Sequence, residues 1–322
     1  MNALAARFNA IFGADMAGPL AALAAVLVVF GFASPHFLTG ATFGSVAFQL
    51  PELGVLTLAM LMPILTGGLN LAITFTANIA GLTLAWTLQA NGGIDAGPGA
   101  FLLGSALALA VGAASGLIMG LVIAFTRAHP ILVSLSMMIF LRGLGEFLTR
   151  GGDISGFPTF VAPIGHGSIL GIPVPLLILI ACVIASHILL SRSKLGFSTY
   201  MIGSNIESAR YSGINTRKVL VLVYMLSGVV AAVAGIIMLA RFNSVRVGHG
   251  ESYLLITVLA CFLGGFGRVL PVFVALVVLQ LLSSGLNLLG ANQHLTTAVW
   301  GILLIVVMVL RWFSAKFIRI VK

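Results

Sequence analysis

Arg142 and Glu146 stand four residues apart inside an apolar run, so on a helix they share one face and can neutralise each other. Each charge near a helix centre in hydrocarbon costs about 2.5–3.5 kcal/mol on insertion scales, so such a pair needs a purpose. Two purposes fit the spacing: an ion pair that holds two helices together, or one wall of a polar pathway. Glu52, near the end of another apolar run, is the second acidic candidate, and Gln49, Asn70, Asn78 and Asn287 add uncharged hydrogen-bonding groups to such a wall. The six histidines are scattered, none at ligand spacing from another or from a carboxylate, so no metal is expected. No nucleophile–base pair stands out and a GxxxxGK[ST] phosphate loop is missing, so the residues predict neither an enzyme nor a resident cofactor.

Gly67 and Gly68 precede Asn70 in the stretch Leu65-Thr66-Gly67-Gly68-Leu69-Asn70-Leu71. Paired glycines hold a helix poorly, because they bring no side-chain contacts and tolerate unusual backbone angles. A broken helix lining a cavity and a tight turn between two helices both satisfy this pattern. Pro51 and Pro63 weaken the preceding segment under either reading.

The elements that must position these groups are membrane helices. The chain has 322 residues, 60% hydrophobic and 7% charged, with mean hydropathy +1.18. A soluble domain carries about 25% charged residues, and several runs here reach the ~20 apolar residues that cross hydrocarbon as a helix. The expected fold is an all-α polytopic bundle. Ten spans are read, at 17–34, 46–66, 69–89, 100–126, 130–149, 172–190, 218–240, 253–267, 270–289 and 295–313, forming one transmembrane domain over 1–322. Gly18–Ala33 is expected to be an uncleaved first span rather than a signal peptide. Cys182 and Cys261 fall inside apolar runs and read as packing residues.

Net charge is +9, but the basic residues lie between apolar runs, so they report topology and not nucleic acid. With both termini in the cytoplasm, Arg7, Arg127, Arg192, Lys194, Arg210, Arg217, Lys218, Arg268, Arg311, Lys316, Arg319 and Lys322 lie inside. Arg150, Arg241 and Arg246 lie outside, with Arg142 in a span, and this asymmetry favours that orientation. The external Gly- and Pro-rich segment from Arg150 to Gly171 reads as an ordered cap or a re-entrant loop. In the fourth span, Gly112, Gly116 and Gly120 form a small-residue face that lets another helix backbone approach, and Gly228, Ala231, Ala232 and Gly235 do the same in the seventh.

The longest stretch without membrane character runs from Ser191 to Lys218. Its mixture of Phe197, Met201, Ile206 and Tyr211 with Ser204, Asn205, Ser208 and Arg210 suits a short amphipathic helix on a membrane surface or in a partner's groove. No stretch between spans is long enough for a soluble core, so any nucleotide-driven work must come from another chain.

Several stretches in order resemble the permease subunits of bacterial ABC importers of the ribose and monosaccharide type, whose wider superfamily includes branched-chain amino-acid permeases. Ile64–Leu71 is similar to the signature ILTGGIDLS. His129–Leu135 with Arg142-Gly143 resembles PPFIVTLG…RG, and Ile202–Asn215 resembles AIGGNxEAARLSGI. Tyr224–Gly228, Gly264-Gly265 and Gly285–Gly290 continue the likeness, which covers residues 50–313. Departures are Asn70 where the family usually has Asp, Ser208 in place of an alanine, and an altered run from Phe266 to Pro271.

The resemblance implies an inner-membrane, multi-pass permease that pairs with a second permease chain, identical or paralogous. It further implies two ATPase subunits below and a periplasmic solute-binding protein above. The loop matching Gly203–Gly213 is implied to be the cytoplasmic coupling helix that docks into a groove of the ATPase, with Gly203, Asn205, Glu207, Ala209, Arg210 and Gly213 as its coupling residues. A pathway touching Glu52, Gly67, Gly68, Asn70, Asn78, Arg142 and Asn287 is expected to carry a sugar or related hydroxyl-rich solute. The alternatives are an ion-coupled transporter acting alone, for which Glu52 and Glu146 are the available carriers, and a branched-chain amino-acid permease.

Overall fold

The structure, a computed structural model, describes residues 16–265 and 267–320, with side chains to residue 309 except at 293. Arg7, Lys322 and Phe266 lie outside the described residues, as do the side chains of Arg311, Lys316 and Arg319. The principal helices are α1 (Ala17–Ala33), α2 (Gly40–Leu65), α3 (Ile73–Ala90), α4 (Pro98–Thr126), α5 (Pro130–Thr149), α6 (Ala162–His166) and α7 (Val174–Arg192). They continue with α8 (Lys194–Ser204), α9 (Ile206–Tyr211), α10 (Thr216–Phe242), α11 (Tyr253–Gly264), α12 (Val269–Leu288) and α13 (Gln293–Ile320).

Each of the ten expected spans coincides with one of these helices. Among the described residues, α2, α4, α5, α7, α10 and α12 are long and apolar enough to cross a membrane. The apolar stretches of α1, α11 and α13 are shorter, at 10–17 residues. The tenth, α3, falls short in composition: it carries Thr74, Thr76, Asn78, Thr83, Thr87 and Gln89. Its burial explains why: 13 of its 18 residues are buried, so protein rather than lipid surrounds most of it.

The chain divides into two compact units, one running from Pro51 to Leu254 and the other formed by the segments up to Leu50 and from Leu255 onward. In the larger unit α3 packs against α4, α5 and α10. The small-residue faces make that possible. A β-carbon on Gly112 would meet the Gly228 carbonyl oxygen at 2.5 Å, and one on Gly120 would lie 2.8 Å from Val221 Cα, so α4 and α10 touch backbone to backbone. Gly235 is likewise seated on Ala77 of α3.

The segment between α5 and α7 is ordered. Strand β1 (Ile154–Ser155) pairs antiparallel with β4 (Ser244–Val245), and β2 (Ser168–Ile169) pairs with β3 (Ile172–Pro173). Helix α6 lies on α10, where His166 Nε2 is 2.7 Å from the Arg241 carbonyl oxygen. In the smaller unit α1 packs on α12, with Phe30 over Gly285 and 5.3 Å from Phe37 between ring centroids.

Candidate functional site

Three side chains divide the 191–218 stretch into short helices. Ser193 Oγ accepts from the Gly196 N–H (3.0 Å), Asn205 Oδ1 from Ser208 (2.9 Å) and Asn215 Oδ1 from Lys218 (3.1 Å), capping α8, α9 and α10 in turn. Gly213 closes α9 at φ +80°, a left-handed conformation that costs a residue with a β-carbon about 1–2 kcal/mol. Ala209 is fully buried in a cluster with Met62, Ile202, Val219 and Val223. Glu207 and Arg210 remain exposed on the opposite face, paired at 3.1 Å, and Tyr211 is 90% exposed. The result is an anchored amphipathic element with one free face. The separation into α8 and α9, hinged at Asn205, was not legible as two helices from the pattern alone.

Gly203 joins this element to the core. A β-carbon there would collide with the Leu65 carbonyl oxygen, so α8 lies directly on the end of α2. Beyond Leu65 the chain turns: Gly67 takes φ +82°, and the Gly68 N–H returns to the Pro63 carbonyl (3.1 Å). Gly68 is seated against Tyr224 and Pro130, and Tyr224 Oη donates to the Leu69 carbonyl (3.3 Å). Asn70, completely buried, donates to Ser227 Oγ (2.9 Å) and accepts from the Ala72 N–H (3.0 Å); Ser227 in turn donates to the Ala59 carbonyl (2.7 Å). The glycine pair is therefore a turn between α2 and α3, pinned to α10. A cavity of about 280 Å³ lies between this turn and α9, lined by Gly67, Arg127, Glu207, Arg210 and Arg217.

Near the opposite end of α10 the charged groups form a second cluster. Glu52, 1% exposed, pairs with Arg241 at 3.2 Å and accepts from Tyr253 Oη (3.3 Å). Arg142 bonds Glu146 (3.0 Å) as its spacing predicts, and also Glu251 (3.1 Å), with each side chain about half exposed. Asn78 ties the 243–252 loop to α3, its amide accepting from the Gly248 N–H (2.9 Å) and donating to the His249 carbonyl (3.1 Å). Partial burial and the neighbouring Arg246 hold the His249 imidazole below its ordinary pKa, with Asp153 opposing. Sequence spacing did not reveal Arg241, Tyr253, Glu251 or Ser227 as partners, since each lies more than a hundred residues from its contact. Asn287 belongs to the smaller unit, where it lines a cavity with Gln49.

A buried helix packed against the apolar α4, α5 and α10, with one anchored surface element, fits a polytopic membrane protein. Residues 42–308 match the family described as the permease component of branched-chain amino acid transport systems, and the chain belongs to that family. The chain is 30% identical over 296 residues to the ribose import permease protein RbsC of Escherichia coli K12, covering 89% of this chain and 90% of that one. RbsC of Bacillus subtilis strain 168 is 30% identical over 301 residues, with 91% of each chain covered. The autoinducer 2 import system permease protein LsrD of Yersinia enterocolitica is 30% identical over 274 residues, 81% of each. No solved structure matches significantly.

Proposed function

We propose that this chain is the permease subunit of an ATP-binding-cassette importer, carrying a sugar or related polyhydroxylated solute into the cytoplasm. The relatives named for ribose and autoinducer 2 import support the solute class. The chain crosses the bacterial inner membrane ten times with both termini in the cytoplasm. It works beside a second permease chain, two ATPase subunits and a periplasmic solute-binding protein.

The observation that carries the mechanism is the contact of Gly203 with Leu65. Through it, a push on the exposed face of α9 reaches the end of α2 and the Gly67–Asn70 turn without a flexible side chain between them. Glu207 and Arg210 present both charges to an ATPase groove, while Ala209 fixes the buried side. Glu52, Gly67, Gly68, Asn70, Asn78, Arg142 and Asn287 are assigned to the pathway or to its support. Glu52 and Asn70, both buried and bonded within the protein, act as supports that hold helices in place.

The test is ATP-driven uptake by the complete importer in proteoliposomes. Glu207→Lys and Gly213→Leu are expected to cut solute moved per ATP hydrolysed at least ten-fold while the permease inserts normally. Normal transport by both variants refutes the assignment of the loop.

A further inference from the structure

We propose that a charge-free polar stripe shared by α2 and α12 is a binding subsite for a neutral, polyhydroxylated solute; this rests on the importer reading above. Thr42, Ser45 and Gln49 recur at helical spacing along one face of α2. Gln280, Ser284 and Asn287 do the same along α12. Both helices are otherwise apolar enough to cross a membrane. Their polar stripes face each other, because Gln280 Nε2 donates to Gln49 Oε1 at 3.0 Å.

Next to this amide pair lies a cavity of about 410 Å³, within the ~300–1,000 Å³ of small-molecule sites. Thr39, Thr42, Ser45, Gln49, Ser284 and Asn287 line it together with His36, and among the described residues no carboxylate and no Lys or Arg side chain does. Thr39 and Thr42 spend their hydroxyl protons on the His36 carbonyl. The side chains of Ser45, Ser284 and Asn287 make no hydrogen bond among the described residues, although Ser284 is only 9% exposed. Packing alone does not account for them, since an apolar residue of the same size would serve a helix contact as well.

Hydroxyls and carboxamides each offer a donor and an acceptor, the combination that adjacent hydroxyls of a sugar require. An ionised solute would find no counter-charge on these walls. With the termini in the cytoplasm, the α1–α2 connection and the end of α12 face outward. The stripe then lies where a solute arrives, remote in sequence from the α8–α9 element.

The experiment measures sugar imported per ATP hydrolysed by the complete importer in ATP-loaded proteoliposomes, with labelled D-ribose, D-xylose and D-galactose as probes. Ser284→Ala with Asn287→Leu is expected to lower that ratio five-fold or more for each sugar that the wild type imports. A wild-type ratio overturns the subsite while sugar import stands, and so does a parallel fall in both rates, which marks a packing role. If the wild type imports none of the neutral sugars, the importer reading fails for this solute class and the subsite's ligand falls with it. Ser45→Cys, at an exposed position, gives a readout independent of assembly of the double variant. Saturating D-ribose should slow its modification by a membrane-impermeant thiol reagent at least three-fold, and unaltered labelling overturns the proposal.

Discussion

Gly203 lies against the main chain at Leu65, where a β-carbon would strike the carbonyl oxygen and come within 3.1 Å of the carbonyl carbon. Backbone cannot rotate away as a side chain can, so even one methyl group must displace α8 from α2. Gly203→Ala is therefore expected to reduce ATP-driven uptake at least five-fold while leaving assembly with the ATPase in place. Uptake and pull-down of the partner from the same membranes check this. A Gly203→Ala importer with wild-type uptake shows that this contact does not transmit motion.

Asn70 meets its two partners as an amide, donating to Ser227 and accepting from Ala72. A carboxylate at this completely buried position keeps the second bond and loses the first, and it brings a charge that has no cation among its bonded neighbours. Burying an unpaired polar or charged group costs about 2 kcal/mol or more. Asn70→Asp is expected to destabilise the purified permease by at least that amount, with partial recovery at acidic pH as the carboxyl protonates. Thermal unfolding in detergent at pH 7.5 and 5 measures both.

Glu52 and Arg241 form the most enclosed ion pair among the described residues, with side chains 1% and 18% exposed. Removing one partner of a buried pair strands the other and costs about 3–5 kcal/mol, whereas replacing both with apolar groups often costs far less. Glu52→Met and Arg241→Met are each expected to destabilise by about 3 kcal/mol, and the double variant by less than their sum. Additive losses in a thermal-unfolding cycle exclude a coupled pair.

Helix positions were legible in the sequence because membrane helices must be apolar over a fixed length, and each expected span coincides with a helix. Helix α3 was found although its composition is marginal for a span, since the Gly67–Asn70 turn marks its start. The Arg142–Glu146 pair follows from spacing, but its third member, Glu251, does not: an i,i+4 rule describes one helix and says nothing of a residue 109 positions away. The two stripes on α2 and α12 show the same boundary. Their periodicity is local and readable, but only folding sets Gln49 opposite Gln280.

His249 gives a pH dependence whose sign follows from its surroundings. The imidazole is partly buried, 5.0 Å from the Phe242 ring between centroids, and Arg246 adds a positive charge nearby, outweighing Asp153. All this favours the neutral ring, so its pKa in the folded protein lies below that in the unfolded chain. A group depressed in this way contributes stability above its unfolded pKa, near 6.5, and loses it as pH falls through the folded value. Asn78 holds the backbone of the same loop at Gly248 and His249, so protonation should be felt first there. Amide hydrogen exchange in residues 244–252 is expected to quicken between pH 7 and 5, after correction for intrinsic rates, and His249→Gln should abolish the effect. Equal protection at both pH values means that the ring's charge is not coupled to the loop.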